Sequence, residues 1–564
     1  MTTSVFLRIY FTMMPEAHRS QFARGRPGVP SEAAGLGWRC IPLRVLALAT
    51  LIFASVPLAT AQRPITYKNP VMAGDYPDPS VIRIGKDFWA TATSSEWGPQ
   101  FPLLHSRDLV NWKIAGVVFS KRPAWAVGNF WAPEIWQERG RYFIYYVARK
   151  QNGPLCSAVA VAARPSGPYK DYGPLICQEV GSIDPFPVRD EQGRLYLIWK
   201  EDGNSVNKPT PLWAQPLSED GTKLEGQRTE ILRNTEPWEA QLIEGPAIVR
   251  RNGWFYLFYS GNACCGRECN YALGVARARK LLGPWEKHPL NPILPANEDW
   301  KCPGHGTIVS DARGRDYLLY HAYEPKDFVY VGRQGLLDEV KWNDGWPEIN
   351  QRRGPSTRAA SPFRSSQMRD RHEFFDNFRT LRLIDGWQWP QSNEPNVQLS
   401  PAGQGWLAFG RSGTGTQDPI NAVLARSTTT GDYVATTLID TRELNAGATA
   451  GISAFGDPEN ALGASVGDGQ VVVWKRERNQ QTRVSTPSAT AGSPLLYIKM
   501  TAREGHFFRF AFSTDDRVWT DVGEEVDGHY LPPWDRGVRV ALVSGGTGGA
   551  RAVYDWLRIV PTKR

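Results

Sequence analysis

From residue 75 to residue 350 the chain repeats one pattern: a polar residue beside Pro or Gly, a short apolar run, a turn, then an aromatic run. The aromatic runs are Phe88-Trp89-Ala90-Thr91, Tyr142-Phe143-Ile144-Tyr145-Tyr146, Tyr196-Leu197-Ile198-Trp199, Trp254-Phe255-Tyr256-Leu257-Phe258-Tyr259 and Tyr317-Leu318-Leu319-Tyr320. Each follows a turn signal, at Gly85-Lys86-Asp87, Arg139-Gly140-Arg141, Gln192-Gly193-Arg194, Asn252-Gly253 and Arg313-Gly314-Arg315. Strand, turn and strand at a constant offset read as one hairpin used five times. Third and fourth strands are predicted behind the hairpins, as at Leu103–Ser106 before Asp108–Trp112 and at Leu273–Arg277 before Gly283-Pro284-Trp285. A four-stranded unit of about 50–60 residues cannot bury both faces alone, so its copies pack side by side as blades. The expected fold is all-β, opening with a five-bladed β-propeller over residues 62–350.

Beyond Trp346-Pro347 the rhythm stops. Residues 351–372 are rich in Arg and Ser with little apolar periodicity, a linker composition. From residue 373 to 562 longer alternating runs follow, among them Tyr433–Ile439, Gln470–Trp474, Leu496–Met500, Phe507–Phe512 and Val538–Val543. They predict an antiparallel β-sandwich. At the other end, Val45–Ala59 is an apolar run preceded by Arg39 and Arg44 and followed by Ala59-Thr60-Ala61. That is the layout of a secretory signal segment within a leader of residues 1–61, cleaved after Ala61, and it is too short for a membrane span. A secreted or periplasmic protein is expected, with no membrane span once matured.

Composition agrees with many short aromatic strands and tight turns: 22 Trp, 20 Tyr and 23 Phe accompany 53 Gly and 43 Pro among 564 residues. The net charge of +8 would suggest nucleic acid, but half of it lies in the leader, which holds six Arg, no Lys and two Glu. The remainder shows no basic run, so no nucleic-acid partner is expected. Cys156, Cys177, Cys264, Cys265, Cys269 and Cys302 follow the leader, an even number that reads as disulfides in an exported protein, with the pairing open. A zinc site on Cys264, Cys265 and Cys269 is the weaker reading.

Function enters through the residues that open the blades, because the innermost strand of a blade lines the channel. These are Asp78, Glu134, Asp184, Glu244 and His305. Several carboxylates converging on one aromatic-lined funnel cannot all ionise cheaply, so their pKa values separate into a proton donor and a base. That is the requirement for hydrolysing a glycosidic bond. Calcium sites usually draw several ligands from one loop, whereas these residues come one from each blade.

The motifs around them are Asn69-Pro70-Val71 with Gly74-Asp75-Tyr76-Pro77-Asp78-Pro79-Ser80, Phe130-Trp131-Ala132-Pro133-Glu134, Ser182-Ile183-Asp184-Pro185, Ile243-Glu244-Gly245-Pro246 and Pro303-Gly304-His305-Gly306. In this order and in phase with the blades, they resemble the inverting glycoside hydrolases of family 43, which carry a five-bladed propeller. The invertase and fructanase family shares the architecture but would show Asn-Asp-Pro-Asn and a Glu-Cys pair, absent at these places. The resemblance implies that Asp78 is the general base, Glu244 the general acid, and Asp184 the carboxylate that positions Glu244 and keeps its pKa high. It implies substrate contacts from Trp131, Arg333 and His305. For His305 it also offers a place near a calcium ion, while Glu134 reads as a structural residue pairing with a neighbouring blade. No cofactor is required by this reading; a structural Ca2+ in the channel or on the sandwich is its metal option. Phe375-Asp376-Asn377-Phe378, Phe512–Trp519 and Tyr554-Asp555-Trp556 resemble the concanavalin-like sandwich that follows many such propellers.

The expected activity is that of an α-L-arabinofuranosidase or β-xylosidase on arabinoxylan, arabinan or xylo-oligosaccharides. An endo-arabinanase or galactan-side enzyme of the same family is the nearest alternative, and a carbohydrate-binding propeller without catalysis is the alternative from another class. The loop Asn262–Asn270 departs from the general pattern; folded over the funnel, it would favour cleavage at chain ends or side chains.

Overall fold

Each aromatic run pairs antiparallel with the apolar strand before it, because alternating side chains on both strands bury against the next blade. The computed structural model describes residues 65–363, 373–400, 405–410, 418–546 and 549–562. The signal segment expected at Val45–Ala59, with its cleavage after Ala61, lies outside them. Five four-stranded sheets form the blades, each with its strands in sequence order from the axis outward. Blade 1 comprises Ser80–Ile84, Asp87–Thr91, Gln100–Ser106 and Lys113–Phe119; blade 2 comprises Ala126–Glu138, Arg141–Lys150, Leu155–Ala162 and Lys170–Ile176. Blade 3 runs through Ser182–Arg189, Leu195–Glu201, Leu212–Pro216 and Thr229–Leu232, and blade 4 through Ile243–Arg251, Trp254–Gly261, Ala272–Ala278 and Glu286–Lys287. Blade 5 is Lys301–Ser310, Asp316–Tyr323, Gln334–Asn343 and Trp346–Ile349.

The turns are built as their residues require. Asn252 and Gly253 have φ of 49° and 76°, the paired left-handed geometry that matches the twist of a hairpin and suits Asn-Gly. In blade 1 the fourth strand begins at Lys113, after the expected Asp108–Trp112, because the Asp108 carboxylate accepts the backbone N–H of Val110 and Asn111 and makes that stretch a turn. The expected linker also does more than link: Arg358–Ala360 pairs antiparallel with Thr66–Lys68. Asn69 joins the same seam by donating to the carbonyls of Leu337 and Ser356.

The C-terminal sandwich stacks a sheet of nine strands on one of seven among the described residues. Its core is continuous with the propeller: Tyr271, Tyr323, Val329 and Tyr330 from blades 4 and 5 share one apolar cluster with Phe409, Leu424, Phe508 and Leu542. Trp97-Gly98 of blade 1 adds an antiparallel pair with Trp389-Pro390. Among the described residues the cysteines pair as Cys156–Cys177, Cys264–Cys265 and Cys269–Cys302, which leaves Cys264, Cys265 and Cys269 no thiolate for zinc. No helix among the described residues is long and apolar enough to cross a membrane.

Candidate active site

At the mouth of each blade the inner strand departs from regular geometry. Asp78, Ala132, Asp184, Gly245 and His305 have φ of 50°, 41°, 56°, 60° and 37°, and register shifts mark the same points in blades 2 to 5. Such a bulge re-aims one side chain out of the ladder, and the four of them, with the left-handed Asp78 just ahead of blade 1, turn side chains toward the axis. Gly245 is needed for space as well as for its φ, since a Cβ there would stand 2.9 Å from the His305 ring.

Asp78 is buried among cations and donors. Its Oδ1 accepts from Arg333 Nη1 at 2.9 Å and lies 3.5 Å from His305 Nδ1; its Oδ2 accepts from Thr93 Oγ1 at 2.6 Å. His321 Nδ1 accepts the Asp78 backbone N–H at 3.0 Å. Burial works to raise the Asp78 pKa, but Arg333 and His305 outweigh it and hold the carboxyl well below its ordinary range. His321 is itself kept neutral, its pKa pulled down to about 4 mainly by burial.

Asp184 and Glu244 form a second acidic pair. Asp184 Oδ2 accepts the Gly245 N–H at 2.8 Å, which anchors the peptide next to Glu244. Burial and the Glu244 charge push the Asp184 pKa up to about 6. Glu244 differs from the expectation. Lys200, only 1 % exposed, places Nζ 2.6 Å from Glu244 Oε2 and 3.0 Å from Asp202 Oδ1, and Tyr271 donates its hydroxyl to Glu244 Oε1 at 2.9 Å. Burial acts to raise the Glu244 pKa, yet Lys200 outweighs it and draws it down. Asp184 thus holds the peptide beside Glu244, and the raised pKa of the pair belongs to Asp184 and not to Glu244.

Against known proteins, residues 67–347 match the family described as Glycosyl hydrolases family 43, and residues 375–559 match the Beta xylosidase C-terminal Concanavalin A-like domain. The chain belongs to glycosyl hydrolases family 43. Family 43 membership makes it a glycoside hydrolase and accounts for both domains. A Xylosidase/arabinosidase from Butyrivibrio fibrisolvens is 29% identical over 301 residues, 50% of this chain and 56% of that protein, so the match spans little more than half of the relative. The Extracellular exo-alpha-(1->5)-L-arabinofuranosidase ArbA of Cellvibrio japonicus is 28% identical over 49% of this chain and 87% of its own length. The crystal structure of the GH43 BlXynB protein from Bacillus licheniformis superposes with a TM-score of 0.75 at 25% identity, over 88% of this chain and 100% of that one.

The sandwich completes the mouth of this family 43 site. Trp131 donates from Nε1 to Ser95 Oγ at 3.2 Å and meets Trp534 of the sandwich edge-on, ring centroids 5.8 Å apart. Trp534 is 59 % exposed, so this pair leaves aromatic surface open to solvent at the mouth. The next residue, Asp535, accepts from Ser95 Oγ, and its carbonyl accepts from Arg333 Nη2 at 3.1 Å. Arg333, expected against sugar hydroxyls, is thus buried and clamps Asp78 to the sandwich. The Asn262–Asn270 loop also leans on the sandwich, with Arg267 donating to Tyr330 Oη and to the His529 carbonyl.

His305 sits beside Asp78 with its N–H held by Ser260 Oγ at 2.9 Å. Besides Asp78, its imidazole acts on the charges of Asp184 and Glu244; an imidazole nitrogen is not among the oxygen ligands that calcium takes. No three His, Cys, Asp or Glu side chains are grouped to hold a metal among the described residues. Glu134 bonds Thr307 of blade 5 at 3.1 Å, and burial pushes its pKa up to about 8. Sequence reasoning missed Lys200, Tyr271, Thr93, His321 and Asp535. Of these only His321 carried a usable signal, a polar residue directly after the aromatic run Tyr317–Tyr320.

Proposed function

We propose that this chain is an exported exo-glycosidase that removes single α-L-arabinofuranosyl or β-xylosyl units from arabinoxylan, arabinan or xylo-oligosaccharides, inverting the anomeric centre. The carrying observation is that three buried carboxylates from separate blades share one mouth in three different electrostatic settings. Asp78 stays ionised, so it takes a proton from the attacking water while the water oxygen bonds to the anomeric carbon. Glu244 gives its proton to the departing oxygen as the glycosidic bond breaks. In the resting site Glu244 accepts hydrogen bonds at both oxygens and the pair's proton rests with Asp184; loading Glu244 requires Lys200 to lean toward Asp202. Exo action is supported by Trp534 standing edge-on against Trp131 and by the Asn262–Asn270 loop lying against Trp534 and His529, and export by the extracellular relative.

The test is hydrolysis of p-nitrophenyl arabinofuranoside and xyloside, with the product anomer followed by proton NMR. Asp78→Asn and Glu244→Gln should each lose about 10²–10⁴-fold in kcat. Sugar binding by the wild type without turnover would instead favour the non-catalytic reading.

A further inference from the structure

Blade 1 and the sandwich leave a cleft of about 380 Å³ between them, within the size range of small-ligand sites. Trp112 and Tyr76 wall it from the propeller side, Trp387 and Arg426 from the sandwich side. Asp78, Asp184 and Glu244 are not among its lining residues.

Arg426 is the feature that calls for a ligand. Its guanidinium lies 4.0 Å from the centre of the Phe374 ring and 5.9 Å from that of Trp387. Its hydrogen bond runs from Nη1 to the Asp385 carbonyl at 2.6 Å, and among the described residues no carboxylate forms an ion pair with it. Burial draws its pKa down to about 10, outweighing the nearby charges of Asp376 and Asp385. Of the nearby acids, Asp376 and Asp75 are engaged elsewhere, and Asp385 is exposed. Asp376 accepts from Trp387 Nε1 and the Phe378 N–H; Asp75 accepts from Arg539, the Gly537 N–H and the Arg333 N–H.

We propose that this cleft binds a sugar bearing a carboxylate, a hexuronic acid alone or at the end of a short saccharide. The planar fork of Arg426 matches a carboxylate through two parallel hydrogen bonds. The Trp112 and Tyr76 rings offer flat apolar walls to the C–H face of a pyranose. Exposed Lys113 at the edge adds attraction, while exposed Asp385 disfavours a ligand with more than one negative charge. The site stands on the cleft alone and is independent of the bond cleaved at the propeller mouth.

Calorimetric titration of the full chain with D-glucuronate, and with D-glucose as the isostere lacking the carboxylate, tests this. Glucuronate is expected to bind at millimolar concentration and glucose at least about tenfold more weakly. Xylose and arabinose should not compete, and glucuronate should not competitively inhibit turnover. Arg426→Met should weaken glucuronate about tenfold or more while keeping the wild-type rate on p-nitrophenyl glycosides. If that variant does not fold, Arg426→Lys decides, since it keeps the charge but loses the fork and should bind several-fold more weakly. Equal binding of glucose, unchanged affinity in the folded variant, competition with xylose, or no binding of glucuronate would each overturn the proposal.

Discussion

Asp78 and Glu244 are both buried carboxylates held below their ordinary range, but Asp78 is held chiefly by a guanidinium and Glu244 chiefly by an ammonium. Lys200→Met removes that ammonium and should raise the Glu244 pKa. The basic limb of the kcat/KM profile, set by the acid losing its proton, then moves to higher pH, while Lys200→Arg keeps the wild-type profile. A merely structural Lys200 would lower kcat without moving the limb. Glu134 makes a second case. Its pKa rises from 4.5 unfolded to about 8 folded, so the unfolded chain releases its proton first and stability drains away as pH climbs through that window. Glu134→Gln should therefore gain on the order of 2–4 kcal/mol over the wild type between pH 4.5 and pH 9, read from urea midpoints at each pH. Asp78, Asp184 and Glu244 were legible in the sequence because each sits beside Pro or Gly at the same offset from an aromatic strand. Lys200 was not, because what gives it meaning is a contact with Glu244 in the next blade, and a Lys ending a strand is ordinarily solvated.

At the scale of elements, the bulges that aim the acids would be inert without the sandwich turn around Trp534–Gly537, which grips the loop leading into Asp78. Arg539 Nη2 lies 2.9 Å from Asp75 Oδ2, both side chains at most 3 % exposed, and the Gly537 N–H adds a second bond at 3.0 Å. Arg539→Met strands Asp75 as a buried charge and should cost about 3–5 kcal/mol, checked by denaturant unfolding. The hairpins and the sandwich strands were readable because alternation and turn residues act locally. The fourth strand of blade 1 was misplaced because Asp108–Trp112 has a strand's apolar content but an Asp that captures its own backbone. The role of the sandwich turn escaped for a different reason: Asp75 and Arg539 are brought together only by the packing of two domains.

For the molecule as a whole, propeller and sandwich behave as one folding unit, since tyrosines of blades 4 and 5 lie in the sandwich core. A chain ending at residue 363 should leave Tyr323 and Tyr330 uncovered, free Arg333 from Asp535, and lose about a hundredfold in kcat/KM if it stays soluble, measured against the full chain. Two domains were visible in the change of strand rhythm, whereas their fusion into one body was not, because apolar residues do not announce which surface covers them. The seam between Thr66–Lys68 and Arg358–Ala360 carries one further consequence. Thr66–Lys68 emerges ahead of blade 1 and waits, with its partnering edge open, for a segment made nearly three hundred residues later. Until Ala360 arrives the edge at Thr66–Lys68 stays unpaired, so a chain halted before it offers a sticky β-edge to other nascent chains.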